Sequence, residues 1–157
     1  MQNRMKTHML SHEQTENLLN KSMTGTIATI NSDGSPYVTP IHFVYDGKCI
    51  YFHGLPKGQK IENIKNNPNV SFNVYNMDCL LFDEDEKPCD TNTKYQSVII
   101  QGKAYITDDF DFKKEILNKI VDKYTPNLSG KVLPEAMIRG TAVIKIEIKE
   151  MSGKFYE

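Results

Sequence analysis

The stretch Ile50-Tyr51-Phe52-His53-Gly54-Leu55-Pro56-Lys57-Gly58-Gln59-Lys60 carries the residues best suited to chemistry: a histidine at the end of an apolar run, a glycine-containing loop and a lysine where a helix begins. Free backbone N–H groups at a helix start, together with the positive end of the helix dipole, attract anions, and Lys60 adds a full charge. A phosphate suits that chemistry. The spacing is not that of a nucleotide P-loop, because no glycine directly precedes Lys60 and no Ser or Thr follows it to hold magnesium. The same residues also make an ordinary strand-to-helix turn, and the loop alone does not separate the two readings. His53 ends the apolar run, and an imidazole with an ordinary pKa near ~6.5 can exchange a proton near neutral pH. A histidine that only packs or hydrogen-bonds has the same signature.

Pro36-Tyr37-Val38-Thr39-Pro40-Ile41-His42-Phe43-Val44-Tyr45 is the second unusual segment. Pro40 cannot donate a ladder hydrogen bond, yet it lies in the middle of a good strand pattern. Either the strand runs along a sheet edge or it bulges. A bulge would free backbone groups for a ligand and make this segment a wall for a planar cofactor. His42 and His53 fall on distinct strands, so no metal-ligand cluster is argued, and His8 and His12 receive no role.

The elements that position these residues can be read from periodicity. Ser11-His12-Glu13-Gln14 is a capping box for a helix to about Lys21. Gly25–Ile30, Pro36–Tyr45 and Lys48–His53, separated by Asp33-Gly34 and Asp46-Gly47 turns, predict a three-stranded antiparallel meander. Gln59 to Asn66 offers one helical face before Asn67-Pro68 stops it. Strands follow at Asn69–Tyr75 and Tyr95–Thr107, with an acidic solvated loop at Asp83–Pro88 between them. Asp108 or Asp109 caps a helix to Tyr124, a brief helix covers Pro134–Arg139, and Thr141–Lys149 alternates as the last strand, with a tail over 150–157. A helical crossover before that strand is compatible with the connection length. The expectation is a mainly β, α+β domain with six strands.

One domain is the default for 157 residues. Nineteen basic and twenty acidic side chains leave a net charge of -1, which removes the electrostatic case for a nucleic-acid or anionic-membrane binder. The apolar fraction is 39%, and no run approaches a membrane span. The polar start, Met1 to His8, lacks the apolar core of a signal peptide, so a cytoplasmic location is expected. Cys49, Cys79 and Cys89 are odd in number without C-x-x-C spacing, which favours reduced thiols.

Taken in order, Asp33-Gly34-Ser35-Pro36-Tyr37-Val38-Thr39-Pro40, Tyr51-Phe52-His53, Gly58-Gln59-Lys60-x-x-Asn63, Asn67-Pro68-x-Val70 and Tyr95-Gln96-Ser97-Val98-Ile99 with Gly102 resemble the pyridoxamine 5′-phosphate oxidase-like flavin-binding split barrels, and within them the nitroimidazole-resistance branch. The resemblance runs from about Leu10 to Gly153. It implies a six-stranded antiparallel split β-barrel with peripheral helices and a homodimer with two FMN sites at the subunit interface. By position it carries flavin contacts onto Tyr37, Val38, Thr39, Pro40, Ile41 and His42, then Phe52 and His53, the phosphate onto Gln59 and Lys60, and a further contact onto Ser97. His53 resembles the histidine beside the flavin's reactive edge, which makes it the candidate acid, able to donate a proton to a reduced substrate or stabilise developing negative charge. The chain departs from the pyridoxamine phosphate oxidases at Gln59, where they carry Arg, at His42, where they carry a basic residue, and in having no Trp.

The expected function is therefore an FMN-dependent oxidoreductase passing reducing equivalents, from NADH or NADPH as possible donors, to a small electron-poor acceptor such as a nitroaromatic. The alternatives are a flavin-binding or redox-sensing module without turnover, and a haem-binding split barrel with His42 or His53 as axial ligand.

Overall fold

A computed structural model describes residues 7–85 and 87–157. The capping box forms as expected: Ser11 Oγ accepts from the Gln14 N–H (3.2 Å) and Gln14 Oε1 accepts from the Ser11 N–H (2.8 Å). They open α1 (His12–Lys21), which buries Thr15, Leu18 and Leu19. The chain continues through β1 (Gly25–Ile30), β2 (Pro36–Ile41), β3 (Val44–Tyr45), β4 (Cys49–Gly54), α2 (Gln59–Asn66), β5 (Asn69–Leu81), β6 (Asn92–Thr107), α3 (Phe110–Tyr124), α4 (Glu135–Gly140) and β7 (Ala142–Tyr156). Asp109 caps α3 by accepting from the Phe112 N–H at 2.7 Å.

Among the described residues the seven strands form one antiparallel sheet, in the order β2-β1-β5-β6-β7-β4-β3. The fold is mainly β with peripheral helices, as the sequence suggests, with one strand more than expected. Ile27, Phe72, Ile100, Ile50, Phe52, Ile144 and Ile146 are fully buried and build the main core, with Leu18 and Leu19 of α1 against it. A second cluster, Val44, Tyr51 and Val143 under Ile116 and Ile120 of α3, covers part of the opposite face.

Three expectations need correcting. The proposed meander does not form, because β2 pairs with β1 and β3 with β4, and the two pairs sit at opposite ends of the sheet order. The single strand read over Pro36–Tyr45 is interrupted at His42-Phe43, just after the proline that cannot extend a ladder. The segment 150–157 is not a tail: Glu150 to Tyr156 pairs with Gln101 to Tyr95 of β6. Its alternation is hidden because Gly153 lies under α1, where an added Cβ would come within 2.7 Å of Thr15 Oγ1 and 2.9 Å of Leu10 Cβ. Close approach of a helix demands glycine there, at the expense of the strand pattern. The last strand is antiparallel to both neighbours, so α3 and α4 do not make a parallel crossover.

Candidate functional site

The start of α2 leaves backbone donors uncapped beside a cation. Gly58, its N-cap, has φ +127°, a left-handed conformation that favours glycine. No side chain caps the helix, and the Ile61 and Glu62 N–H groups both bond to the Gly58 carbonyl at 3.0 and 3.1 Å, so the donors that precede them in the first turn have no side-chain acceptor. Lys60 is half-buried, with Nζ 5.1 Å from the centre of the Phe52 ring. Burial alone lowers its pKa; no carboxylate offsets it. A half-buried cation beside uncapped backbone donors is an arrangement that a phosphate would complete.

Gln59 is placed differently from the expectation of a phosphate contact. Its Nε2 donates to Asn63 Oδ1 (2.8 Å) and Asn31 Oδ1 (3.2 Å), turning the amide towards the β1–β2 connection. Asn63 Nδ2 in turn donates to Thr29 Oγ1 (3.0 Å) and Asn31 Oδ1 (2.8 Å). Sequence reasoning gave these last three residues no function. The signal was present in the four-residue spacing of Gln59 and Asn63, which puts two amides on one helix face.

His53 lies on β4, one residue beyond Phe52, and the two side chains therefore point to opposite faces. Phe52 is wholly buried in the core, which leaves only its backbone open to a ligand; His53 is exposed. Its imidazole is nonetheless held below the usual histidine range, first by desolvation and then by His42 and Lys60 nearby. His53 thus lies within electrostatic reach of two other potential cations, His42 and Lys60. His42 falls in the β2–β3 interruption and stacks on Tyr124, with ring centres 4.7 Å apart and planes inclined by 26°.

Pro40 sits on β2, an edge strand, which resolves the choice left by the sequence. The interruption after it does not leave its backbone free: the Tyr124 hydroxyl accepts from the Phe43 N–H (2.7 Å) and is shared between the carbonyls of Phe43 (2.9 Å) and Met23 (2.8 Å). The wall offered to a planar ligand is thus made of β2 side chains. On β2, Tyr37, Thr39 and Ile41 share one face and Val38 and Pro40 the other.

Two hydroxyls among the described residues are buried without a hydrogen-bond partner, Thr39 Oγ1 and Ser97 Oγ. The family resemblance implies a flavin contact at both positions. An orphaned buried hydroxyl is rare in a folded protein, so these two positions are open to a polar partner that the chain itself does not supply, such as a polar cofactor edge. They do not face the same space. Thr39 is in register with Ile27, Phe72 and Ile100, whereas Ser97, three residues from Ile100, lies on the other face of the sheet beside Tyr75 and Lys154. The chain brings His53 near both Lys60 and His42; Ser97 is not among them. No cluster of three or more metal-ligating side chains occurs among the described residues.

Comparison with known structures agrees with this architecture. A proposed 5-nitroimidazole antibiotic resistance protein from Bacteroides thetaiotaomicron is 24% identical over 93% of this chain and 85% of its own, with a TM-score of 0.82. The flavocytochrome Anf3 from Azotobacter vinelandii is 24% identical over 94% of this chain and 68% of its own (TM-score 0.81). An FAD and heme binding protein from Mycobacterium smegmatis is 20% identical over 94% and 72% (TM-score 0.84). At these identities the likeness is one of fold. No curated protein matches the chain. The family model for pyridoxamine 5′-phosphate oxidase matches residues 11–155, nearly the whole sequence, and the chain therefore belongs to the pyridoxamine 5′-phosphate oxidase family.

Proposed function

We propose that the protein is an FMN-dependent oxidoreductase that reduces a small electron-poor acceptor such as a nitroaromatic, working as a homodimer in the cytoplasm with NADH or NADPH as donor. The observation that carries this reading is the unpaired, half-buried Lys60 beside the uncapped start of α2, in a chain of this family. A phosphate carrying about −1.5 to −2 charges suits a helix start plus one lysine. The main-chain donors of α2 and Lys60 would bind that group, and β2, through Tyr37 and Thr39, would orient the ring system. When bound, the flavin supplies the transfer of reducing equivalents. His53 would hold the proton for the reduced acceptor, and its lowered pKa makes it the stronger acid once protonated.

The opposite orientation of Thr39 and Ser97 supports the dimer: a cofactor that meets both needs Ser97 from a second copy. The Ser97 face also carries Val38 (57% exposed), Tyr75 (55%) and Ile99 (39%), apolar surface suited to burial between copies. The test is an absorption spectrum of the purified protein, with added FMN, followed by anaerobic titration with NADH. Flavin bands that bleach support the enzyme. A colourless protein that ignores FMN ends the reading, and bound flavin inert to every donor and acceptor tried leaves a binding module in its place. A haem reading is favoured by two of the structural neighbours, and a Soret band with His42 or His53 as axial ligand would replace flavin by haem.

A further inference from the structure

We infer that Asn63 is the positioning residue of the oxyanion site, fastening the first turn of α2 to the β1–β2 hairpin and holding its backbone donors in place. The inference rests on the flavin reading above and concerns how its phosphate end is shaped.

Asn63 is 2% exposed, and Thr29 beneath it 1%. A buried amide is costly unless its polar atoms find partners, and here both the nitrogen and the oxygen of the side chain do. Both hydrogens of Asn63 Nδ2 are donated, to Thr29 and Asn31, and its oxygen accepts from Gln59. The Thr29 hydroxyl passes the chain onward by donating to the Tyr37 carbonyl at 3.3 Å, on β2. Asn31 is itself tied into the hairpin turn, with Nδ2 donating to Ser35 Oγ (3.0 Å) and its N–H to the Ser35 carbonyl (2.8 Å). One amide in the middle of α2 therefore connects the anion end of the site to the strand proposed to carry the ring system.

Two consequences follow for recognition. Both donors of the Gln59 amide are consumed within the network, so an oxyanion is left with the main-chain N–H groups and Lys60. The direction of those main-chain donors depends on how the first turn is anchored. Gly58 brings no side chain to anchor it, and Gln59, the first helical residue, is held from below by Asn63. An apolar side chain at position 63 would fill the space without fixing the turn.

The measurement compares FMN with riboflavin, which has the same ring system and no phosphate, by flavin fluorescence quenching in the wild type, in Asn63→Leu and in Thr29→Val. The wild type should prefer FMN. Asn63→Leu should cut that preference roughly tenfold while changing riboflavin affinity by less than about threefold, and Thr29→Val, which removes one link of the network, should cut it by a smaller factor. General loosening of the fold would weaken both ligands together, so the ratio isolates the phosphate end. Variants that keep the wild-type preference overturn the role of Asn63. A wild type that binds both flavins equally overturns the oxyanion site itself, and this inference with it. Should Asn63→Leu fail to fold by circular dichroism, the Thr29→Val ratio decides by the same criterion.

Discussion

Lys60 and His53 show how a site side chain acts in opposite directions on stability and on function. Lys60 is charged and half-buried without a carboxylate, so its ammonium is a cost to the unliganded fold and an asset to an anion complex. Lys60→Met should therefore leave the apo-protein at least as stable towards urea at pH 7, while weakening FMN by about 1–3 kcal/mol, or roughly 5- to 150-fold, as expected for one charge-assisted phosphate contact. Unchanged FMN affinity would remove Lys60 from the site. For His53 the sign runs the other way from a salt-bridged histidine. Its folded pKa lies below 6.5, so as pH falls through 6.5 the unfolded chain binds the proton first, and stability is lost towards acid. In thermal unfolding between pH 8 and pH 5, the wild type should fall faster than His53→Gln below about pH 6.5. Parallel curves would mean the imidazole is not desolvated. Turnover that needs protonated His53 should rise over the same acid range and flatten in His53→Gln.

At the level of elements, the interruption between β2 and β3 is the feature that most shapes the site. A strand of ten residues would have continued one ladder; breaking it at His42-Phe43 sends β2 to one edge of the sheet order and β3 to the other. Such a break exposes backbone groups that need partners. The Tyr124 hydroxyl, from the last residue of α3, supplies them, and its ring supports His42. Tyr124→Phe keeps the ring and removes only the hydroxyl, so it should cost about 1–3 kcal/mol by leaving the Phe43 N–H without its acceptor. The reading is a lower urea midpoint with an unchanged slope. An unchanged midpoint would show that the interruption holds itself without α3.

For the whole molecule, the issue is whether one chain completes the site. Thr39 and Ser97 each bury a hydroxyl without a partner, and they look out of opposite faces of one sheet. The proposed homodimer, twice 18.0 kDa, would resolve both by letting Ser97 of one copy complete the pocket of the other. Ile99→Asp, on the Ser97 face, should convert the dimer to a monomer in sedimentation velocity and weaken flavin binding at the same time, with little effect on the core because Ile99 is outside it. A wild type that sediments as a monomer while binding flavin at full strength would contradict the shared site.

The elements around the site were legible where local rules act alone. The Ser11–Gln14 capping box, β1 at Gly25–Ile30, α2 at Gln59–Asn66 and an aspartate cap of α3, narrowed to Asp108 or Asp109, each follow from spacing and turn chemistry within a few residues. The ordered motifs likewise carried the family, because they are distributed along nearly the whole chain. Partners distant in sequence were not legible. Nothing near Phe43 announces that Tyr124, 81 residues later, will take its backbone groups, and nothing near Gln59 announces that Asn31 will take its amide. The strand Glu150–Tyr156 was hidden for the same reason, since its glycine answers to α1 rather than to a period of two. Local sequence determines which element forms because capping, turns and periodicity are satisfied within a few residues; which polar group is consumed inside the fold and which remains for a ligand depends on contacts that exist only once the helices have packed on the sheet.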